Sequence, residues 1–455
     1  MKAYNAVSWI DIAAMVTVKN CYTVKPAEPT PNNRLWLSEF DQIKPLTLAP
    51  TIYLYRSMGD SVESVIDTLR DSLSQALVQF YPLAGRLYNI DGGRFELECN
   101  AEGALLYEAE SEGMIDDFGD FRPTPEIREL IPRVDHSSTP VHESPLLVVQ
   151  FTRFRCGGVS IGMGVSHILI DGQSALHFVS EWARIARGER IETLPFLDRT
   201  VLSKPLLAAP RFDHDEFSPP PLLLGGSDQK EQRKKETTVA MLKLTKDQVE
   251  KIKKKANQGH DGRPYSRYEA VSGHIWRCAC KARRHENQQP TNMRIVVDCR
   301  NRLQPHLPKG FFGNATLPIM STSRAGELMA KPLGYASGKI REAVEKMTDE
   351  YVRSAIDFLR NQPDLSKYRT FHTVGCTQGA FYGNPNLVVT SWVGLPIYGA
   401  DFGWGKEFHM GPGSLGYDGK SFILPSPAAD GSFILPLRLQ VDSMDAFKKF
   451  LHDDI

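Results

Sequence analysis

The chain has 455 residues, 41% hydrophobic and 24% charged, and its 54 basic and 54 acidic side chains give a formal net charge of zero. These are ordinary globular proportions with room for two or three domains, and the balanced charge argues against a general nucleic-acid binder. Seven cysteines are scattered at positions 21, 99, 156, 278, 280, 299 and 376 with no C-x-x-C pair, so neither a zinc cage nor a disulfide framework is indicated.

Reduced thiols in a cytoplasmic protein are the simplest account of those cysteines, and no apolar run reaches membrane-spanning length. Residues 1–14 carry Asp11 inside a short apolar stretch, a poor signal peptide, and read as an N-terminal extension before an edge strand at Met15–Lys19. Tyr53-Leu54-Tyr55 reads as a strand. Ser61 to Leu77 has helical spacing, with Val65, Leu69, Leu73 and Leu77 on one face and Ser61 as N-cap. Tyr81-Pro82-Leu83-Ala84-Gly85 stops that helix, and Asp91-Gly92-Gly93 marks a hairpin. Leu146–Phe154 and Val159–Val165 are predicted strands, the second leading into Ser166-His167-Ile168-Leu169-Ile170-Asp171-Gly172. A helix follows, with Leu176, Val179, Trp182 and Ala183 on one face. His167 is thus expected where a buried strand gives way to a turn, held by rigid elements yet facing a cleft.

Composition shifts near residue 204. Prolines and then a charged run mark 205–236 as a crossover between a first domain, 15–204, and a second, 237–455. In the second, Thr245-x-x-Gln248 and Ser266-x-x-Glu269 are capping boxes opening helices. Arg294–Val297 and Leu387–Val393 read as strands, Gly310–Asn314 as an aromatic turn, Glu342–Leu359 as mainly helical, and Ser443–Leu451 as a closing helix. The alternation predicts a mixed α/β protein.

No Walker loop, G-x-G-x-x-G, H-E-x-x-H or G-x-S-x-G is present. With twelve histidines, a His-x-x-x-Asp spacing arises readily by accident, and its bland reading is a packed histidine beside a capping aspartate. A histidine without an adjacent activated Ser or Cys suits general-base catalysis, taking a proton from an acceptor that attacks an acyl group. His177 and His274 sit in helical patterns and read as packed. Lys251 to Lys255 read as a solvated helix face.

His167-x-x-x-Asp171-Gly172 occurs together with Asp401-Phe402-Gly403-Trp404-Gly405 near the C-terminus. The pair resembles the signature of the plant BAHD acyl-CoA-dependent acyltransferases. Tyr81–Arg86, Val297–Arg302, Phe312–Ala315 and Tyr382–Asn386 resemble the hydroxycinnamoyltransferases among them, and the similarity spans Met15 to Ile455. The resemblance implies two similar-sized domains like chloramphenicol acetyltransferase, each a mixed sheet with helices, and an active-site channel between them. It implies acyl-CoA as co-substrate with no bound cofactor or metal, and a monomer that binds small molecules but neither nucleic acid nor membrane. It makes His167 the base and gives Asp171 a structural role, paired with Arg300 or Arg302. Asp401, Gly403 and Trp404 are likewise structural. Thr390 and Trp392 fall where the oxyanion would be steadied, and Ser266, Arg267, Tyr268, Arg300, Arg302 and Ser391 along the CoA channel.

Relatives that use shikimate or quinate carry an arginine two residues after the Trp of Thr-Ser-Trp, where this chain has Gly394. Stretches around Val165–His177, Ser180–Trp182, Phe196–Arg199 and Gly273–Arg283 resemble spermidine hydroxycinnamoyltransferases. The expectation is transfer to amine nitrogens of a polyamine such as spermidine, giving phenolamides. The alternatives are a shikimate or quinate O-transferase and a non-catalytic binding protein on the same scaffold. An ammonium acceptor calls for acidic or aromatic groups in the channel.

Overall fold

A computed structural model describes residues 16–56, 65–134, 139–203, 209–369 and 381–455. The expectations for residues 1–14, Ser61 and Cys376 lie outside them. Its strands, in chain order, are β1 (Val16–Val24), β2 (Arg34–Trp36), β3 (Leu48–Tyr55), β4 (Arg86–Ile90), β5 (Arg94–Glu98), β6 (Ala104–Ser111), β7 (Leu147–Phe154), β8 (Val159–Ser166), β9 (Thr237–Leu244), β10 (Pro290–Asp298), β11 (Thr316–Arg324), β12 (Leu387–Ser391), β13 (His409–Pro412), β14 (Lys420–Pro425) and β15 (Phe433–Gln440).

Two six-stranded mixed sheets organise them, in the orders β1-β6-β7-β8-β3-β13 and β11-β10-β12-β14-β15-β9, and β2-β5-β4 form a small third sheet. The expected mixed α/β fold in two units is thus present. β1 lies at a sheet edge, as its sequence suggested. The Asp91–Gly93 hairpin joins β4 to β5 with Ile90 opposite Arg94. Helices Val65–Gln79 and Gly172–Ala186 cover the first sheet through Leu69, Leu73, Leu176 and Trp182. Helices Arg267–Ala282 and Leu333–Glu345 cover the second, with Ala270, Trp276 and Ile340 in its core.

Both capping boxes form: Thr245 with Gln248, and Ser266 with Glu269. Glu342–Leu359 is mainly helical, as expected, but it is divided between two helices, Leu333–Glu345 and Asp349–Arg360, because the Thr348 side chain accepts the Tyr351 N–H and starts a new helix. Acidic Asp349 and Glu350 in its first turn suit that start.

Chain order and sheet membership part company once. β13, late in the sequence, pairs antiparallel with β3, Gly411 opposite Ile52. Just before it, Ile397, Ala400 and Phe402 sit in the same apolar cluster as Trp182 and Phe151. A strip of the second half therefore completes the first sheet.

Candidate active site

β8 is buried along its whole length. Gly162 lets the Leu130 backbone come so close that a Cβ would stand 1.9 Å from the Leu130 oxygen. β8 ends at Ser166, whose carbonyl receives the Leu169 and Ile170 N–H groups at 3.0 and 3.3 Å in a tight turn. Asp171 then caps the helix by accepting the Ser174 N–H at 3.1 Å. His167 occupies the turn and is half-buried.

Two hydrogen bonds to its backbone fix it, backed by a buried network. The His167 N–H donates to the Thr47 carbonyl at 3.4 Å. The His167 carbonyl accepts the Asn314 carboxamide N–H at 3.0 Å. Asn314 also donates to Asp41 at 2.9 Å, and Asp41 pairs with Arg199 at 3.3 Å in a fully buried contact. Arg199 returns to the turn by donating to the Leu169 carbonyl at 2.9 Å.

Asp171 is saturated by four N–H donors. Arg300 grips it as a fork, at 2.8 and 2.9 Å, and the backbone N–H groups of Ser174 and Ala315 supply the rest at 3.1 and 3.0 Å. Burial would raise the Asp171 pKa, but the guanidinium and these donors outweigh it and hold the carboxyl below its ordinary value. A carboxylate so occupied ties the turn to the second half of the molecule.

His167 faces a cavity of about 950 Å³ between the two large sheets. Thr390, Ser391 and Trp392 line it as well. The Lys420 ammonium donates to Thr390 Oγ1 at 3.4 Å, leaving the threonine O–H to donate elsewhere. The Trp392 ring packs on Phe422 with centroids 4.8 Å apart. Burial, and then the Lys44 ammonium, push the His167 pKa down to about 4. The imidazole is therefore neutral near pH 7, as a proton acceptor must be. Among the described residues no group of three or more His, Cys, Asp or Glu is placed to hold a metal ion.

The other sequence-derived candidates divide between the cavity wall and positions away from it. Arg300 lines the cavity, its guanidinium bonded to Asp171, Asp298 and Ser174, and it is this arginine, not Arg302, that pairs with Asp171. Arg302 donates to the Val344 and Met347 carbonyls at the end of a helix. Ser266 caps its helix, Arg267 pairs with Glu250 at 2.6 Å, and the Tyr268 hydroxyl reaches the Val389 carbonyl at 3.4 Å. These four do not line the cavity. Asp401 accepts the N–H groups of Gly403 and Gly405 at 2.8 and 3.0 Å, and both glycines have φ near +100° (110° and 98°), which a side chain would strain. Trp404 stacks on Phe402, whose ring meets Trp182 edge-on at 4.8 Å. This turn packs into the apolar cluster of the first sheet. His274 bonds the Leu451 carbonyl and His177 the Thr193 carbonyl, and both are packed.

Sequence reasoning missed Asn314 and Asp41, and also Lys44, Lys420, Arg294 and Arg438, all four of which line the cavity. The one available signal was basic residues inside apolar strand patterns, such as Lys420 ahead of Ser-Phe-Ile-Leu.

The pattern of the Transferase family matches residues 14–453. The chain is 54% identical over 450 residues to hydroxycinnamoyl-CoA:piscidic acid hydroxycinnamoyltransferase of Actaea racemosa, covering 97% of this chain and 100% of the relative. It is 44% identical to shikimate O-hydroxycinnamoyltransferase of Nicotiana tabacum, covering 96% and 99%. Among solved structures, F. sporotrichioides TRI101 complexed with coenzyme A and T-2 superposes with a TM-score of 0.72 at 18% identity, covering 91% and 97%, a likeness of fold.

Proposed function

The chain belongs to the Transferase family, the BAHD acyltransferases, and is an acyl-transferring enzyme; from that premise we propose that it moves a hydroxycinnamoyl group from its CoA thioester to a hydroxyl of a carboxylate-bearing acceptor. The observation that carries this is the cavity itself. It joins His167 to Thr390 and Trp392 and is lined by Lys44, Lys420, Arg294 and Arg438. The relatives named for piscidic acid and shikimate support the donor class.

In this reading the acceptor oxygen attacks the thioester carbonyl carbon as the His167 imidazole takes its proton. The Thr390 hydroxyl and the Trp392 indole N–H receive the developing oxyanion. The C–S bond then breaks, and the imidazolium returns the proton to the departing sulfur, giving an ester and CoA. Ser391 flanks the thioester end. Ser266, Arg267 and Tyr268, on the far side of β12, form the outer surface for the nucleotide end of CoA. Asp171, Asp401, Gly403 and Trp404 hold the frame.

The polyamine reading fares less well. The only carboxylates lining the cavity among the described residues are Asp171 and Asp298, and Arg300 holds both. An ammonium acceptor would meet uncompensated cations instead. Gly394 stands where shikimate- or quinate-using relatives carry an arginine, and in this reading the cations of β10, β14 and β15 supply the positive charge instead.

Purified protein incubated with caffeoyl- or coumaroyl-CoA and a panel of hydroxy acids, shikimate, quinate and spermidine decides the matter by product mass. Esters of hydroxy acids are expected. Spermidine amides without any ester would overturn the acceptor class, and no transfer to any acceptor would favour a non-catalytic scaffold.

A further inference from the structure

Sheet register places three cations in one transverse row. Arg294 on β10 is opposite Val388 on β12, and Val388 is opposite Lys420 on β14. Ser421 pairs with Leu437, which in an antiparallel ladder sets Lys420 opposite Arg438 on β15. Residues in register point to the same face of a sheet. All four, with Val388 the sole apolar member, line the cavity that holds His167.

The row has little counter-charge of its own: Asp418 acts on Arg438, but that carboxylate is already paired with Arg283 at 2.9 Å. Arg294 is 6% exposed and Lys420 8%. Arg294 stands 4.4 Å over the Tyr382 ring and has no hydrogen-bond or ion-pair partner among the described residues. Among the described residues Lys420 reaches only the Thr390 hydroxyl and the Phe422 ring, and Arg438 donates to Thr237 Oγ1 at 2.8 Å. Like charges on neighbouring strands repel, and buried cations without an anion are costly. Burial, then Arg294, bring the Lys420 pKa down to about 7. Such a row is stable in use only when a ligand brings the negative charge.

The row also has a fixed position. On β12 and β14, Thr390 and Phe422 lie two residues beyond Val388 and Lys420 on the same face. Two residues of strand span about 6.6 Å. Anions held on the row therefore stand one short substituent away from the group that steadies the reacting carbonyl. The CoA phosphates are separated from the thioester by the long, uncharged pantetheine arm, and the hydroxycinnamoyl group is neutral. The anion belongs to the acceptor.

We propose that Arg294, Lys420 and Arg438 form a dicarboxylate-binding row that selects, as acceptor, a short hydroxy acid with two carboxylates. One carboxylate lies between Lys420 and Arg438 and the other at Arg294, directing the hydroxyl toward His167. A single carboxylate would leave most of the row's charge unmet. This deepens the acyl-transfer reading above and rests on it for the fate of the hydroxyl.

The test pairs kinetics with a binding measurement that needs no turnover. With coumaroyl-CoA as donor, malate and tartrate are compared with lactate and quinate, in wild type, Lys420→Met, Arg294→Met and Lys420→Arg. The dicarboxylates are expected to have the lower KM, Lys420→Met and Arg294→Met to raise it roughly 10- to 100-fold with the donor KM within about twofold, and Lys420→Arg to restore it. Succinate, which has no hydroxyl to acylate, is titrated calorimetrically beside acetate. It should bind wild type and lose binding in the two methionine variants, whose unfolding is followed to show that they are folded. Equal use of mono- and dicarboxylates, a rise in donor KM instead of acceptor KM, or succinate binding that is absent or unchanged in folded variants overturns the row. Succinate binding without any acyl transfer would instead overturn the acyl-transfer reading and leave the row standing.

Discussion

Two histidine networks in this molecule look alike on paper and differ in kind. His214 is bonded through Nδ1 to Glu216 and through Nε2 to Ser354, each at 2.9 Å, the distances of a Ser-His-Glu triad. His167 instead lines the cavity, at the turn that follows β8. Yet the Ser354 hydroxyl oxygen already accepts the Arg211 and Phe212 N–H groups, Tyr351 donates to Glu216 at 2.6 Å, and the His214 and Glu216 side chains are 0% and 1% exposed. That network pins the segment between the two sheets onto helix Asp349–Arg360. At His167 hydrogen bonds to the backbone N–H and carbonyl hold the turn, and the residue borders the cavity. Reach to a substrate, more than hydrogen-bond geometry, separates a base from a staple.

The comparison breaks most sharply under paired substitution. His167→Ala should lower kcat roughly 100- to 10,000-fold, with the unfolding midpoint nearly unmoved because the ring is half-buried. A variant that keeps wild-type turnover would remove the histidine from the chemistry. Arg300→Met strands the Asp171 carboxylate in the interior and should destabilise by about 3–5 kcal/mol, seen in chemical denaturation, with activity lost as the turn loosens. His214→Ala should cost about 1–3 kcal/mol by leaving Glu216 and Ser354 with unmet bonds, while kcat per folded molecule holds. A large kcat loss in a folded protein would make the staple something more.

The smallest effects come from pH. His167 is held down to about 4 by burial and Lys44, so its protonation reduces kcat/KM only below that value. Lys420, near 7 through burial and Arg294, loses its proton above it, and the KM of an anionic acceptor should rise there. Between those limits the profile is expected to be flat. Lys420→Arg should carry the upper limb to higher pH, since a guanidinium stays charged; an unmoved limb would take the ammonium out of acceptor binding.

Much of this was legible beforehand where the cause is local. Capping boxes at Thr245 and Ser266, the Asp91–Gly93 hairpin and the strand-turn-helix around His167 follow from side chains a few residues apart. The paired signatures at His167 and Asp401 carried the family. The break at Thr348 was local too, but the helical spacing on both sides concealed it. What depends on register stayed hidden: Arg294, Lys420 and Arg438 are far apart in sequence and become one row only when four strands align. Asn314 joins the site the same way, by reaching across to a carbonyl 147 residues back. The polyamine expectation arose from sequence likeness around His167, whereas the charge that bears on the acceptor sits on the opposite sheet.

The loan of β13 to the first sheet has a consequence for how the protein is made. On the ribosome, β3 emerges long before the strand that covers it. Until His409–Pro412 arrives, β3 is an open edge able to recruit strands from other chains. The first half thus cannot finish folding as an independent unit during synthesis, and a fragment ending at residue 204 should be prone to association where the whole chain is not. The same loan ties the walls of the cavity together. Substrates must come and go through its mouths, because swinging the halves apart would tear a strand from its sheet.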